Sequence, residues 1–104
     1  VAGYLILDII SRINQHHQNV SLAELADETG YSKEHLTRTL KKYTGKSFST
    51  LLQECRMNMA AVYLQTTNMP IQIIAEKIGL HDISYFYRIF KEFYGMTPTQ
   101  YRNQ

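Results

Sequence analysis

The sequence predicts an all-α chain of about seven helices, and three observations predict it. Apolar residues recur at three- and four-residue spacing, and no period-2 alternation runs long enough to make a strand. Serine, threonine and aspartate precede most apolar runs and glycine follows them, which is the chemistry of helix starts and stops. The pattern of the first half then returns about 50 residues later, the mark of a duplicated module.

Taken in order, the first helix is expected from Leu5 to His16, with Leu5, Ile9, Ile10 and Ile13 on one side. Ser21 opens the second, and Glu24 completes a Ser-x-x-Glu capping box. That helix turns Leu22, Leu25 and Ala26 inward and stops at Gly30, which can take the left-handed backbone a tight turn needs. Ser32 caps a third helix with Leu36, Leu40 and Tyr43 inward, ending at Gly45. Ser47 caps a fourth over Phe48–Thr66, whose 19 residues span roughly 28 Å at 1.5 Å per residue. A fifth turns Ile71, Ile74 and Ala75 inward and stops at Gly79. Asp82 caps a sixth with Phe86, Phe90 and Phe93 inward, ending at Gly95. Thr97 caps a seventh, with Pro98 at the first helical position, where its missing N–H costs nothing.

The repeat is visible in the spacing. Gly30 and Gly79 lie 49 residues apart and Gly45 and Gly95 lie 50 apart, so the second turn is one residue longer. Leu36, Arg38, Leu40 and Lys41 correspond to Phe86, Arg88, Phe90 and Lys91. The expected organisation is one domain over 1–104, with a first subdomain over 1–47, a connecting helix over 48–66 and a second subdomain over 67–104.

Charge follows the same plan. Residues 1–31 carry Arg12 against Asp8, Glu24, Asp27 and Glu28, a net of −3. Residues 32–46 carry Lys33, Arg38, Lys41, Lys42 and Lys46 against Glu34, a net of +4. Residues 84–104 carry Arg88, Lys91 and Arg102 against Glu92, a net of +2. Two basic stretches, each after an acidic one, suit two positive surfaces offered to one polyanion, though solvated helix faces would look the same by charge alone.

Several classes of function drop out. No apolar run approaches the ~20 residues that cross a bilayer, so no membrane partner is expected. The Tyr4–Leu7 run lacks a basic lead and a cleavage signal, so it is not a signal peptide. The chain opens at Val1 rather than methionine, which points to a fragment of something longer. Cys55 stands alone and suits a reducing cytoplasm and a small buried hydrophobe's role, with no His–carboxylate set to make it a nucleophile. His16 and His17 are neighbours on different helix faces, at a solvated helix end rather than in a metal site. With no phosphate-cradling glycine loop and no paired carboxylates, no catalytic residue, cofactor or metal is assigned.

Each module instead has the form of a helix-turn-helix, in which one helix braces a second whose outer face enters the major groove. With Leu36 and Leu40 inward, the outward set is Glu34, Thr37, Arg38 and Lys41. The equivalent set is Ser84, Tyr87, Arg88 and Lys91, with Tyr85 on the flank. Arg38 and Arg88 offer planar forks suited to guanine, and Glu34 suits a cytosine amine. Thr37, Ser84 and Tyr85 supply hydroxyls or apolar contact for thymine methyls. Lys33, Lys41, Lys42 and Lys91 suit phosphates, which fix register without reading sequence; for Lys91 plain solvation fits equally well. Arg102 suits tying the last helix down better than touching DNA. The connecting helix is close in length to the ~34 Å between successive major-groove segments, so one chain is expected to read two adjacent segments of an asymmetric site, with both recognition helices on one side. A helix-turn-helix scaffold used for protein contacts is the alternative, against which the arginines on both faces count.

The run Ser84-Tyr85-Phe86-Tyr87-Arg88-Ile89-Phe90-Lys91, followed by Gly95-Met96-Thr97-Pro98 and Tyr101-Arg102, closely resembles the signature of the AraC/XylS family of bacterial regulators. Ile74-Ala75 with Gly79, and Leu25-Ala26 with Gly30-Tyr31-Ser32, match its two turns, so the resemblance covers nearly the whole chain from about Ile9. It implies a seven-helix domain, usually C-terminal, attached to a separate sensing or dimerising domain, with any effector bound outside this chain. It also implies base contacts from the positions of Glu34, Thr37 and Arg38 and of Ser84, Tyr85 and Arg88. Transcription regulation in the cytoplasm follows, leaning toward activation through RNA polymerase.

Overall fold

In the computed structural model, residues 2–17 and 19–104 are described, and among them the secondary structure is helical throughout. The helices are α1 (Ala2–His16), α2 (Leu22–Thr29), α3 (Lys33–Thr44), α4 (Phe48–Thr66), α5 (Ile71–Lys77), α6 (Ile83–Tyr94) and α7 (Pro98–Arg102). None is long and apolar enough to cross a membrane. The chain divides into two compact units, Val1–Cys55 and Arg56–Gln104, with the boundary inside α4.

The first unit buries Leu5, Ile6, Ile9 and Ile13 of α1, Leu25 of α2, and Leu36 and Leu40 of α3. Periodicity predicts this stripe, but α1 begins at Ala2 and Ile6 replaces Ile10 in the centre. The buried stripe runs along Ile9 and Ile13, and at 100° per residue Ile6 lies nearer its middle than Ile10, which is half-buried. Arg12 clamps α1 to α2, donating to Asp8 at 3.1 Å and pairing with Glu28. Half-buried Cys55 donates its thiol to Asn14 Oδ1 at 3.2 Å. His17 lies half-buried with Nδ1 3.3 Å from the Asn14 carbonyl, while the side chain of His16 is outside those described.

The second unit centres on Phe86, Ile89 and Phe90 of α6, against Met57, Ala60, Ala61 and Leu64 of α4 and Ile74, Ala75 and Ile78. Tyr94 and Tyr101 close the cluster, with ring centroids 4.6 Å and 5.3 Å from Phe90. The Tyr94 hydroxyl donates to Asn58 Oδ1 at 3.0 Å and to the Met57 carbonyl at 3.3 Å. Burial, and after it the neighbouring Tyr101, raises this phenol above its ordinary pKa of 10.0.

Two residues expected in the cores are not there: Tyr43 is 52% and Phe93 43% exposed. They correspond to each other in the repeat, and both have the right angle around their helix. Both, however, stand in its last turn, and there the angle of a side chain does not by itself bury it. The buried third members are instead Thr39 and Ile89. Thr39 tolerates this because its hydroxyl donates to the His35 carbonyl at 2.7 Å.

Candidate nucleic-acid interface

In the first unit the turn between α2 and α3 is made by Gly30 at φ 78°, whose N–H donates to the Ala26 carbonyl at 2.9 Å. Two residues later Ser32 caps α3, its hydroxyl accepting from the His35 N–H at 3.0 Å. Leu36 and Leu40 then bury one face of α3, so the opposite face must look outward. In the second unit Gly79 lies at φ 87°, donating to the Glu76 carbonyl at 3.0 Å while the Leu80 N–H reaches that of Ala75 at 2.9 Å. This paired closure is a Schellman turn, and the chain runs one residue further than after Gly30 before Asp82 starts α6. The Asp82 carboxylate accepts from the N–H groups of Ser84 and Tyr85 at 3.0 and 3.2 Å, and its charge suits the positive end of α6.

On α3, Lys33, Glu34, Thr37, Arg38, Lys41 and Lys42 are all exposed. On α6, Ser84, Tyr85, Arg88 and Lys91 are exposed too. Tyr87, expected to point outward beside Arg88, is half-buried with its hydroxyl 3.2 Å from Thr99 Oγ1. It sits on the flank of α6, and a phenol is long enough to reach α7. Thr37, at the same place on α3, is too short for that and donates its proton to the Lys33 carbonyl at 2.8 Å. What Thr37 offers outward is a methyl group and oxygen lone pairs.

Ion pairs join Arg12 to Asp8 and Glu28, and Lys46 to Glu54 at 2.8 Å. None involves Lys33, Arg38, Lys41, Lys42, Arg88 or Lys91. Glu34, one turn before Arg38, does not pair with it either. The exposed cations of α3 and α6 therefore hold their charge uncompensated by the described carboxylates, whereas Arg12 and Lys46 are engaged in holding the fold together. Arg102 is also engaged: it donates to the carbonyls of Leu64 and Thr67, each at 3.2 Å, and so anchors α7 to the end of α4.

Aromatic rings add three interactions to these faces, one of them Lys42 Nζ over the Tyr43 ring, 5.6 Å from its centroid. The Arg88 guanidinium lies over the Tyr85 ring, 5.1 Å from its centroid. Tyr31 in the first turn stacks on His35, with centroids 4.7 Å apart and planes 12° from parallel. Helical periodicity alone does not single out His35, although the repeat marks it: with Leu36 matched to Phe86, His35 falls on Tyr85.

Comparison with known proteins agrees with this architecture. A family described as a helix-turn-helix domain matches residues 25–104. The HTH-type transcriptional regulator GadX of Escherichia coli O6:H1 is 38% identical over 84 residues, covering 81% of this chain and 30% of GadX. The chain thus spans less than a third of that relative's length. The regulatory protein SoxS of Escherichia coli (strain K12) is 33% identical over 101 residues, covering 96% of this chain and 94% of SoxS. A solved AraC-type DNA-binding domain protein from Chromobacterium violaceum superposes with a TM-score of 0.92 at 25% identity, over 98% of this chain and 92% of that one. Two glycine-turned helix pairs of this form, matched along the length of the chain, make it a member of the AraC-type family of helix-turn-helix DNA-binding domains.

Proposed function

We propose that residues 1–104 form the DNA-reading part of a bacterial transcription regulator, in which α3 and α6 each enter a major-groove segment of one asymmetric site. Arg38 and Arg88 read guanine, Glu34 a cytosine amine, and Thr37, Ser84 and Tyr85 make the remaining base contacts. Lys33, Lys41, Lys42 and Lys91 hold phosphates. The observation that carries this reading is that these cations lie exposed on the outer faces of two braced helices, with no described carboxylate paired to any of them. The similarity to GadX and SoxS supports transcription regulation; action in the cytoplasm follows from that role, and the family resemblance leans toward activation through RNA polymerase. A part of the protein outside these residues binds any effector.

Binding titrations on a preferred and a scrambled duplex test it. Arg38→Ala or Arg88→Ala is expected to cost roughly 1–3 kcal/mol on the preferred site and to relax preference at one base pair. Lys41→Ala or Lys42→Ala is expected to weaken both duplexes alike. If both arginine variants also weaken the two duplexes equally, the arginines hold phosphates and sequence reading lies with Glu34, Thr37, Ser84 and Tyr85.

A further inference from the structure

His35 and Tyr85 occupy the same place in the repeat, three residues before Arg38 and Arg88, and side chains at that spacing are neighbours on a helix. The two units use their rings differently. In the first, His35 is stacked against Tyr31, and exposed Arg38 has no ring or ion-pair partner among the described residues. In the second, Leu80 follows its turn glycine as Tyr31 does and packs into the core instead, while exposed His81, which precedes Tyr85 by the same four residues, makes no ring contact with it. No turn ring claims Tyr85, which stays 38% exposed, and Arg88 lies across its face. No described carboxylate draws Arg88 away: the equivalent of Glu34 is Ser84, and exposed Glu92, one turn further on, makes no ion pair with it.

The geometry points to Tyr85 as a positioning residue that holds the Arg88 guanidinium in place before DNA arrives. A guanidinium held over a ring face keeps N–H groups free to donate, so this contact and base reading are compatible. Arg88 then surrenders less side-chain freedom on reaching a base than Arg38 does, which is affinity and selectivity gained by preorganisation. The less basic recognition helix thereby discriminates more sharply than its charge alone would give. This rests on Arg88 reading a base, as proposed above.

The test combines a double-mutant cycle with a measurement on the free protein. Tyr85→Phe keeps the ring; Tyr85→Leu removes it while keeping an apolar side chain. By NMR without DNA, the Arg88 side-chain protons are expected to be shifted upfield in the wild type and in Tyr85→Phe, and to lose that shift in Tyr85→Leu. On duplexes differing at the base pair that Arg88→Ala makes irrelevant, Tyr85→Leu is expected to reduce discrimination about two- to five-fold and Tyr85→Phe to reduce it less, while on the preferred duplex Tyr85→Leu is expected to weaken binding more in the wild type than in the Arg88→Ala background. An absent ring shift overturns the contact. An equal loss of affinity from Tyr85→Leu with and without Arg88 overturns positioning and leaves Tyr85 with its own DNA contact alone. If the ring shift is present but Arg88→Ala leaves every base preference unchanged, base reading by Arg88 is what fails, and the positioning role falls with it.

Discussion

At the scale of single residues, conformation and burial set separate costs. Gly95 ends α6 at φ 76°, and a Cβ placed there would meet nothing within 4 Å. Space is free, so the cost of Gly95→Ala is that of left-handed backbone alone, about 1–2 kcal/mol. Gly95→Asn should cost less, since asparagine tolerates that region better. Denaturant midpoints of the two variants would check the order. Phe86 is the opposite case, with no exposed surface and neighbours on every side. Phe86→Ala is expected to cost about 3–5 kcal/mol through the loss of burial and the cavity left behind. Against a total of about 5–15 kcal/mol for a small domain this is large, and a thermal melt unchanged from wild type would contradict the placement of Phe86.

At the scale of helices, angle and axial position are distinct. The apolar stripe of α6 predicts Phe86, Phe90 and Phe93 alike, yet Phe93 lies in the last turn and is left half-uncovered. Phe93→Ala should therefore cost less than half of Phe86→Ala in the same denaturation series, because its ring is only partly covered and its loss leaves no closed cavity. The packing of α6 against α7 has its own pH signature. The folded protein holds the Tyr94 phenol above its ordinary pKa of 10.0, so the unfolded chain releases that proton first as pH rises. The stability involved is present below pH 10 and is lost as pH climbs through the raised folded value. Tyr94→Phe should flatten that alkaline fall, though it gives up the hydrogen bonds to Asn58 and Met57 at neutral pH. Melting temperatures of both proteins from neutral pH to about pH 11 would show it; parallel curves would assign the fall to other groups.

At the scale of the whole molecule, two units with separate cores carry unequal charge on their recognition helices. The α3 face bears Lys33, Arg38, Lys41 and Lys42, whereas α6 bears Arg88 and Lys91. Salt dependence of DNA binding should follow that difference. Removing Lys41 and Lys42 together is expected to reduce the slope of log affinity against log salt by about 0.9 for each phosphate no longer neutralised, and removing Lys91 by no more than one such step. Titrations at several salt concentrations separate these, and a larger slope change from Lys91→Ala than from the α3 pair would reverse the assignment.

The sequence by itself determined the helices, their caps and the duplication. Ser21, Ser32, Asp82 and Thr97 cap where their side chains can reach free N–H groups, and the glycines turn where only their backbone is unstrained. These are local interactions, complete within a few residues of chain, and so are written in the residues themselves. Periodicity also brought Glu34, Thr37, Arg38, Ser84, Tyr85 and Arg88 to exposed faces, because a buried stripe dictates its opposite. Tertiary structure decided what lies beyond one helix's own geometry. It left Tyr43 and Phe93 uncovered, drew the Tyr87 phenol across to Thr99, and aimed Arg102 at the end of α4. It also gave the ring of His35 to Tyr31 and that of Tyr85 to Arg88. Periodicity fixes the angle at which a side chain leaves its helix; where the covering element ends, and which partner a long side chain reaches, depends on residues distant in the chain.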